Sequence, residues 1–401
     1  MKKRYFFIIL FLFIVLAYVT NITQIPTNLI LLNDEKIDIK TLFGIELKTQ
    51  EEETIEAWQG QDIENQKIQV NLFGKIKVKE VSVTTLPQVK VVPIGKLIGL
   101  KLYTNGVLVI GMTELKNINN EIERAYEQTE IKEGDTILEV DNVEIDSIKT
   151  LQSVINESKG NDVQIKYARD GEILSSNIKP IQVSENEYKL GLWVRDSASG
   201  VGTISFYEPN SRRFAALGHG ISDVDTGELL NIETGEIVTS NIVNITKGKK
   251  GIPGEIKGSI SNGLLVGEVN ENTNFGIFGN LDNEISLTTD KYQEGIEVAV
   301  RDEIQLGKAT VLCTVEGNKT EEYNIEITQI NYDNNTNNKS MQVKITDEEL
   351  IEKTGGIICG MSGSPIIQNG KLIGVLTNVL VSDPQVGYAV FSDIMIKKMM
   401  R

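Results

Sequence analysis

The sequence predicts a mainly β protein that begins with an apolar segment able to enter a membrane. Short apolar runs of strand length, separated by Gly- and Asn-rich turns, repeat from about residue 190 to Phe391. Nearer the N-terminus, Ile68, Val70 and Leu72 alternate with polar residues, which is the period of a half-buried strand. The chain opens with basic residues and then fifteen apolar residues, from Tyr5 to Val19. We therefore expect β domains behind an N-terminal anchor.

The composition limits the number of domains and the class of partner. A chain of 401 residues suffices for two or three domains. Its formal net charge of -16, with no basic patch, argues against a nucleic-acid partner. Two cysteines, Cys313 and Cys359, are too few for a disulfide scaffold.

The N-terminus has the pattern of an export signal. The basic run Met1-Lys2-Lys3-Arg4 precedes the apolar stretch, and positive charge is retained on the cytoplasmic side. No good cleavage site follows, because Ala17-Tyr18-Val19 lacks the small-x-small pattern. We interpret residues 1–20 as a signal anchor with the body outside the cytoplasm, and a cleaved signal peptide is the alternative. Residues 21–92 are expected to form a small β and linker region.

Residues 93–182 contain a distinct pattern. The run Gly134-Asp135-Thr136-Ile137-Leu138-Glu139-Val140-Asp141 is followed by a helical spacing of apolar residues from Ile148 to Ile155. This stretch resembles a PDZ domain. The resemblance implies a carboxylate-binding loop with an apolar-Gly-apolar pattern, matched by Ile98, Gly99 and Leu100. Such a loop binds a peptide C-terminus or an internal segment; the alternative is a PDZ fold used only for packing.

The last domain, expected over residues 186–401, carries a candidate nucleophile. Ser362 lies in Gly360-Met361-Ser362-Gly363-Ser364-Pro365, between strand-like runs. Glycines allow a sharp turn that exposes the serine hydroxyl. The backbone N–H groups of Gly360 and Ser362 would then face a developing oxyanion. A Gly-rich hairpin without chemistry is the alternative.

His219 is the one histidine of the chain, and it lies between glycines in Leu217-Gly218-His219-Gly220. A serine nucleophile needs an adjacent base, most often histidine. The order histidine before serine is that of two-barrel serine proteases. We therefore expect His219 and Ser362 to form a catalytic pair. Asp223 and Asp225, shortly after His219, are more typical of loop turns or ion sites.

Cys359 is a rival nucleophile because it lies three positions before Ser362. It lacks the Gly-flanked turn, so a buried thiol or a bridge to Cys313 is the expectation.

Three longer runs carry a more specific resemblance. They are residues 190–203 (LGLWVRDSASGVGT), 214–227 (FAALGHGISDVDTG) and 360–377 (GMSGSPIIQNGKLIGVLT). With the PDZ-like stretch before them, they resemble the membrane-linked PDZ serine peptidases of endospore-forming bacteria, peptidase family S55 in the chymotrypsin-like clan. The resemblance implies a double β-barrel peptidase domain, and we expect it to use no cofactor and no metal.

The family resemblance also implies substrates and a site of action. It implies self-cleavage near the N-terminus, which would release the body from the anchor. It further implies cleavage of a membrane-bound regulatory protein in the space between forespore and mother cell. That cut triggers intramembrane proteolysis and the activation of a late sigma factor during sporulation.

The third member of the catalytic triad follows from the resemblance alone. The family's acid lies shortly before the nucleophile, which points to Asp347. Two-barrel proteases in general carry the acid earlier, and by that pattern Asp282, Asp290 or Asp302 would serve.

Two functions of different class remain. The first is a serine endopeptidase whose PDZ domain holds a substrate tail or its own N-terminal segment. The second is a non-catalytic PDZ scaffold with a degenerate protease fold. The single histidine together with an intact serine motif favours the enzyme.

Overall fold

The computed structural model describes residues 2–25, 27–32, 41–58, 61–260, 263–282, 290–332 and 338–400. The chain begins with helix α1 (Lys2–Gln24). Its segment Arg4–Thr23, 20 residues with a mean hydropathy of 2.5, is long and apolar enough to cross a membrane. No residue of its apolar window is fully buried, although Tyr18 and Ile22, near its end, pack against the core of the sheet that follows.

A four-stranded sheet follows the helix, in the order β1-β4-β3-β2. Its inward-facing residues include Ile68, Val70, Val81 and Val83, which are fully buried, so the alternating pattern of the sequence marks a real core face. The strands are β1 (Asn28–Leu32), β2 (Ile45–Trp58), β3 (Gln61–Leu72) and β4 (Ile76–Leu86).

One long strand, β5 (Lys90–Met112), belongs to two structural units. Its first part, through Thr104, pairs within a β-barrel, and its last part, from Val107, pairs within the PDZ domain. The remaining PDZ elements follow it in the chain. They are β6 (Leu115–Lys116), β7 (Ile122–Glu123), β8 (Thr136–Val140), β9 (Val143–Glu144), α2 (Ile148–Glu157), β10 (Val163–Arg169), β11 (Glu172–Ile178), β12 (Ile181–Ser184) and β13 (Glu187–Lys189).

Helix α2 confirms the helical spacing seen in the sequence. Its N-cap Ser147 accepts a hydrogen bond from the backbone N–H of Thr150, which satisfies one of the free donors at the helix start. Leu151 and Ile155 are buried in the PDZ core.

The first barrel closes through six strands in the order β5-β14-β15-β20-β19-β16, with β16 returning to β5. A hairpin, β17–β18, lies outside this circle. The strands are β14 (Leu192–Tyr207), β15 (Arg213–Ala216), β16 (Ile232–Thr239), β17 (Asn241–Thr246), β18 (Glu255–Ser259), β19 (Leu265–Thr273) and β20 (Gly276–Leu281).

The second barrel closes in the order β22-β23-β24-β27-β26-β25. Two closed six-stranded barrels confirm the mainly β, double-barrel fold. The remaining elements are β21 (Ile296–Glu297), β22 (Gly307–Glu316), β23 (Lys319–Ile330), β24 (Met341–Ile345), α3 (Glu348–Thr354), β25 (Pro365–Gln368), β26 (Lys371–Leu380), β27 (Asp383–Phe391) and α4 (Ser392–Met399).

The strand β5 corrects two predictions. A boundary at residue 93 falls inside it, so the first barrel takes a strand that precedes the PDZ domain, and residues 186–401 do not contain both barrels whole. Ile98, Gly99 and Leu100 form no loop: they pair with β14 on one side and β16 on the other. Ile98 and Leu100 are 1% and 2% exposed, because this stretch is a barrel wall.

Candidate active site

His219 lies just beyond strand β15, at the edge of the first barrel. The backbone leaves the strand through two residues in the left-handed region, Leu217 (φ 68°) and Gly218 (φ 71°). A left-handed backbone at a residue such as leucine is uncommon and costs free energy, and such strain is often found at functional sites. The turn leaves His219 half-buried at the wall of a cleft.

The hydrogen bond of the imidazole determines which nitrogen is free. Nδ1 lies 2.8 Å from the carbonyl oxygen of Gly220. A carbonyl only accepts, so Nδ1 carries the proton and donates. Nε2 of the neutral ring is therefore the acceptor that remains for chemistry.

Ser362 lies on a turn that only glycine permits. Gly360 (φ 99°) and Gly363 (φ 104°) flank it in left-handed conformations. A Cβ atom at Gly363 would lie 1.9 Å from the carbonyl oxygen of Thr203, so no larger residue fits. The Ser362 hydroxyl is half-buried and donates to the carbonyl oxygen of Thr377 at 2.5 Å. Ser364, by contrast, is completely buried and donates to the carbonyl oxygen of Met361.

The two barrels enclose one cleft of about 560 Å³ that both His219 and Ser362 line. In the described part of the chain, its walls contain no Asp, Glu, Lys or Arg. The first barrel supplies Leu100, Leu102, Ala198, Ser199, Gly200, Val201, Gly202, Leu217, His219 and Ile221, and the second supplies Ile357, Ile358, Cys359, Gly360, Ser362, Thr377, Asn378, Val379 and Val381; Pro253, from the outlying hairpin, completes it.

Thr203, on β14, holds the serine turn from the opposite barrel. Its hydroxyl donates to the carbonyl oxygen of Gly360 at 2.7 Å, and its backbone N–H donates to the carbonyl oxygen of Ser362 at 3.1 Å. The N–H groups of Gly360 and Ser362 have no acceptor among the described residues. Sequence reasoning missed Thr203, since nothing in its local pattern distinguishes it from other strand threonines.

Asp347, which the family resemblance implies as the acid, lies elsewhere in the structure. It is the N-cap of α3, and its Oδ1 accepts from the N–H groups of Glu349 and Leu350 at 3.1 and 3.2 Å. Its Oδ2 accepts from the backbone and side chain of Asn324. Asp347 does not line the cleft, and its position at a helix start explains why, since capping turns its carboxylate toward its own backbone.

Two of the three alternative acids are not at the cleft either. Asp282, just after β20, and Asp302, in a 3₁₀ turn, are both exposed and do not line the cleft. The side chain of Asp290 lies outside the described residues. In the described structure the histidine therefore has a backbone carbonyl where a triad would have a carboxylate.

Asp223 and Asp225 form a loop turn, as their position in the sequence indicates. The Oδ1 atom of Asp223 accepts from the backbone N–H groups of Asp225 and Thr226. Both carboxylates also contact the guanidinium of Arg195, which the sequence did not single out. Burial alone would raise the pKa of the Asp223 carboxyl, but the N–H donors of Thr226 and Asp225, with Arg195, lower that pKa below its usual value.

The two cysteines are not bonded to each other. Cys313 is buried, and burial raises the pKa of its thiol well above the ordinary range. Cys359 is exposed and lines the cleft, so the expectation of a buried thiol or a disulfide at this position is wrong.

A second groove, of about 360 Å³, lies on the PDZ domain between helix α2 and the start of β14. One edge of Leu192–Val194 pairs with β5, and in the described residues no strand pairs with the other edge, which borders the groove. Leu190-Gly191-Leu192, at its mouth, has the apolar-Gly-apolar pattern that the sequence analysis assigned to residues 98–100. Because the same pattern recurs at several other places in the chain, the sequence alone could not have located the groove.

Comparisons with known proteins agree with these two units. A family model described as SpoIVB peptidase S55 matches residues 186–396, and a PDZ domain model matches residues 98–179. A stretch of 95 residues is 33% identical to the zinc metalloprotease RasP of Shouchella clausii (strain KSM-K16), covering 23% of this chain and 22% of that protein.

Among solved structures, the crystal structure of the PDZ domain of the SdrC-like protein from Listeria monocytogenes is similar. It is 20% identical with a TM-score of 0.18, and the match covers 22% of this chain and 87% of that one.

The peptidase model spans more than half of the 401 residues, and its match contains both His219 and Ser362. The chain therefore belongs to the SpoIVB peptidase S55 family and is a serine peptidase with a PDZ domain.

Proposed function

We propose that this protein is an endopeptidase in which His219 and Ser362 act as a catalytic dyad. The observation that carries the proposal is that the two side chains come from different barrels and line the same cleft. The Nδ1–H of His219 is held by the Gly220 carbonyl, which leaves Nε2 as the base.

The chemistry begins with a rotation of the Ser362 hydroxyl away from the Thr377 carbonyl and toward Nε2. Nε2 takes the hydroxyl proton as Oγ bonds to the carbonyl carbon of the scissile peptide. The tetrahedral intermediate collapses, the C–N bond breaks, and the leaving amine takes the proton from Nε2. Water then repeats the cycle on the acyl-enzyme and restores the serine.

The developing oxyanion is stabilised by backbone donors. We assign this role to the N–H groups of Gly360 and Ser362, which have no acceptor among the described residues. Donors that are fixed before the reaction cost no reorganisation in the transition state.

The cleft favours an apolar substrate side chain. The Ile357–Gly360 segment before the nucleophile, with Val379 and Val381, supplies an apolar wall on the serine side. A charged side chain bound there would lose its hydration without gaining an ion pair, which costs free energy.

The PDZ groove binds an extended peptide in this proposal. A peptide strand added to the free edge of Leu192–Val194 would satisfy backbone groups, while Leu151 and Ile155 of α2 supply apolar contacts. The ligand is a peptide C-terminus or an internal segment, from the substrate or from this chain.

Family membership also supports a proposal about the biological substrates. We propose that the protein, anchored by α1 with its body outside the cytoplasm, cleaves itself and a membrane-bound regulatory protein. The second cut would trigger intramembrane proteolysis and late sigma-factor activation during sporulation. The apolar helix and the family membership support this proposal.

Incubation of the full-length protein in membranes tests the proposal. We expect self-cleavage near the N-terminus in the wild type, read by mass spectrometry of the products, and none in Ser362→Ala. Ser364→Ala is the matched control, because Ser364 is buried away from the cleft. A scaffold without catalytic activity would give the same uncut chain in all three.

A further inference from the structure

Arg195 joins the strand at the PDZ groove to the loop that follows His219. Its guanidinium contacts the carboxylate of Asp223, and its Nη2 atom lies 2.7 Å from Oδ2 of Asp225. The side chain of Arg195 is 27% exposed and that of Asp223 is 0% exposed. Loss of the arginine would therefore leave a buried carboxylate without its counter-charge, which is costly.

The loop after His219 is fixed at two points. At its base, the side chain of Asn272 accepts from the N–H of Ile221 and donates to the carbonyl oxygens of Ile221 and Leu230. At its tip, Asp223 turns the backbone and Arg195 holds Asp223. A loop fixed at base and tip holds the histidine at its start in one place.

Arg195 has a particular position along β14. Leu192–Val194, directly before it, border the PDZ groove, and Ala198–Gly202, shortly after it, line the catalytic cleft. The pairing with β5 is irregular between Arg195 and Ser197, as at a β-bulge, a feature that redirects side chains. One strand thus passes from the groove, through the contact with the histidine loop, to the cleft.

We infer that Arg195 is a positioning residue for His219, through which the groove strand acts on the catalytic histidine. Displacement of Leu192–Val194 moves the guanidinium, and the two carboxylates transmit that movement to the loop. The inference rests on the proposed function, in which His219 is the base.

The first test measures how fast Ser362 reacts with a fluorophosphonate in the wild type, Arg195→Gln, Arg195→Lys and Arg169→Gln. We expect Arg195→Gln to react at least tenfold more slowly and Arg195→Lys to recover part of the rate. Arg169→Gln is the matched control: Arg169 pairs with Asp135 in the PDZ domain, with side chains 26% and 1% exposed. Arg169→Gln should lower the melting temperature as much as Arg195→Gln does, yet its Ser362 should react at the wild-type rate.

The second test uses the single histidine. One imidazole signal is expected in NMR spectra of an untagged Ser362→Ala protein, since the chain has one histidine. Arg195→Gln should shift or broaden that signal, whereas Arg169→Gln should leave it unchanged. If Arg195 only stabilised the fold, Arg195→Gln and Arg169→Gln would change the imidazole signal to the same extent.

The third test is a double-mutant cycle with Gly191→Val at the mouth of the groove. A Cβ atom at Gly191 would lie 2.6 Å from the carbonyl oxygen of Thr113, so valine displaces the groove strand. Added to the wild-type sequence, Gly191→Val should slow the reaction of Ser362 with the fluorophosphonate. Added to the Arg195→Gln protein, it should cause no further slowing. Additive effects, or no effect of Gly191→Val, would overturn the link.

The outcomes separate this inference from the proposed function. If wild-type Ser362 does not react, the proposed function fails. If it reacts and Arg195→Gln reacts equally fast, with an unchanged imidazole signal, Arg195 positions nothing and only the inference fails.

Discussion

The hydroxyl of Thr203 in the first barrel donates a 2.7 Å hydrogen bond to the carbonyl oxygen of Gly360 in the second. Thr203 is 2% exposed, so this bond is formed in the interior, at the junction of the barrels. It ties the turn that carries Ser362 to the barrel that carries His219. The distance between His219 and Ser362 thus depends on a contact made by two other residues.

Replacement of Thr203 by valine should therefore reduce catalysis. Valine has a similar shape but leaves the Gly360 carbonyl without its donor, at a cost of about 1–3 kcal/mol. We expect kcat to fall by about 10- to 100-fold if most of that cost appears in the transition state, and Thr203→Ser to retain activity. Kinetics on a peptide substrate measure both.

Thr104→Val is the control for that substitution. Thr104 is also buried in β5 and donates to a carbonyl oxygen, that of Gly106, at 2.6 Å. Thr104→Val should lower the free energy of unfolding as much as Thr203→Val does, while its kcat stays within about threefold of the wild type. Equal losses of kcat in both variants would show that Thr203 only stabilises the fold.

Asp347→Ala distinguishes two roles for Asp347: the helix N-cap that the structure shows and the triad acid that the family resemblance implies. As a helix N-cap, Asp347 should contribute about 1 kcal/mol to the free energy of unfolding and little to catalysis. Urea unfolding and peptide hydrolysis of Asp347→Ala measure the two quantities. A well-folded variant without activity would restore Asp347 as the acid of a triad.

Valine substitutions at Gly99 and Gly191 should destabilise different parts of the protein. A Cβ atom at Gly99 would lie 2.1 Å from Ile260 and 2.9 Å from Val238, on the outer face of the barrel wall, since the neighbouring Ile98 and Leu100 face the barrel core, so Gly99→Val should lower the melting temperature of that barrel. Gly191 lies at the PDZ groove, and Gly191→Val should leave the barrels folded. Circular dichroism with thermal melting compares them; a stable Gly99→Val protein would argue against the barrel position of residues 98–100.

The stability of the histidine loop should depend on pH through Asp223. The fold lowers the pKa of this carboxyl from its usual 3.8, since the N–H donors of Thr226 and Asp225 and the charge of Arg195 outweigh its burial. A lowered folded pKa means that the stabilisation is present above the unfolded pKa and is lost as the pH falls through the folded value. The free energy of unfolding should thus decline below about pH 5, and Asp223→Asn should lack part of that decline. Urea unfolding at a series of pH values measures this decline. The prediction is contradicted if the free energy of unfolding falls equally steeply with pH in the wild type and in Asp223→Asn.

The enzyme should prefer peptides with an apolar residue directly before the scissile bond, where the side chain enters the cleft. We expect kcat/KM for leucine before the scissile bond to exceed that for lysine by at least about 100-fold, because no carboxylate lines the cleft to pair with the ammonium group. Val379→Asp should raise the rate for the lysine peptide. Equal rates for leucine and lysine in the wild type would contradict the assignment of this wall.

Local sequence patterns were sufficient to find His219 and Ser362, the two residues of the proposed dyad, but not the residues that hold them in place. Gly-flanked turns at His219 and Ser362 are local signals, and the structure brings both side chains to one cleft. Arg195 and Thr203 act on residues distant in the chain, and only the closure of the barrels brings these contacts together.

The PDZ groove was misplaced for a related reason. The apolar-Gly-apolar pattern recurs along the chain, for example at residues 43–45, 98–100, 110–112, 190–192, 275–277 and 373–375, so the pattern alone does not locate the groove. Because β5 is shared between the barrel and the PDZ domain, residues 98–100 lie in the barrel wall, whereas residues 190–192 border the groove.

The proposed catalytic dyad is tested most directly by the site of covalent modification. Wild-type protein, His219→Gln and Ser362→Ala would be treated with a fluorophosphonate, digested, and mapped by mass spectrometry. The structure predicts one adduct, on Ser362, formed rapidly in the wild type, at least about 100-fold more slowly in His219→Gln, and not at all in Ser362→Ala. An adduct on another residue, or equal modification of Ser362 with and without His219, would contradict the dyad.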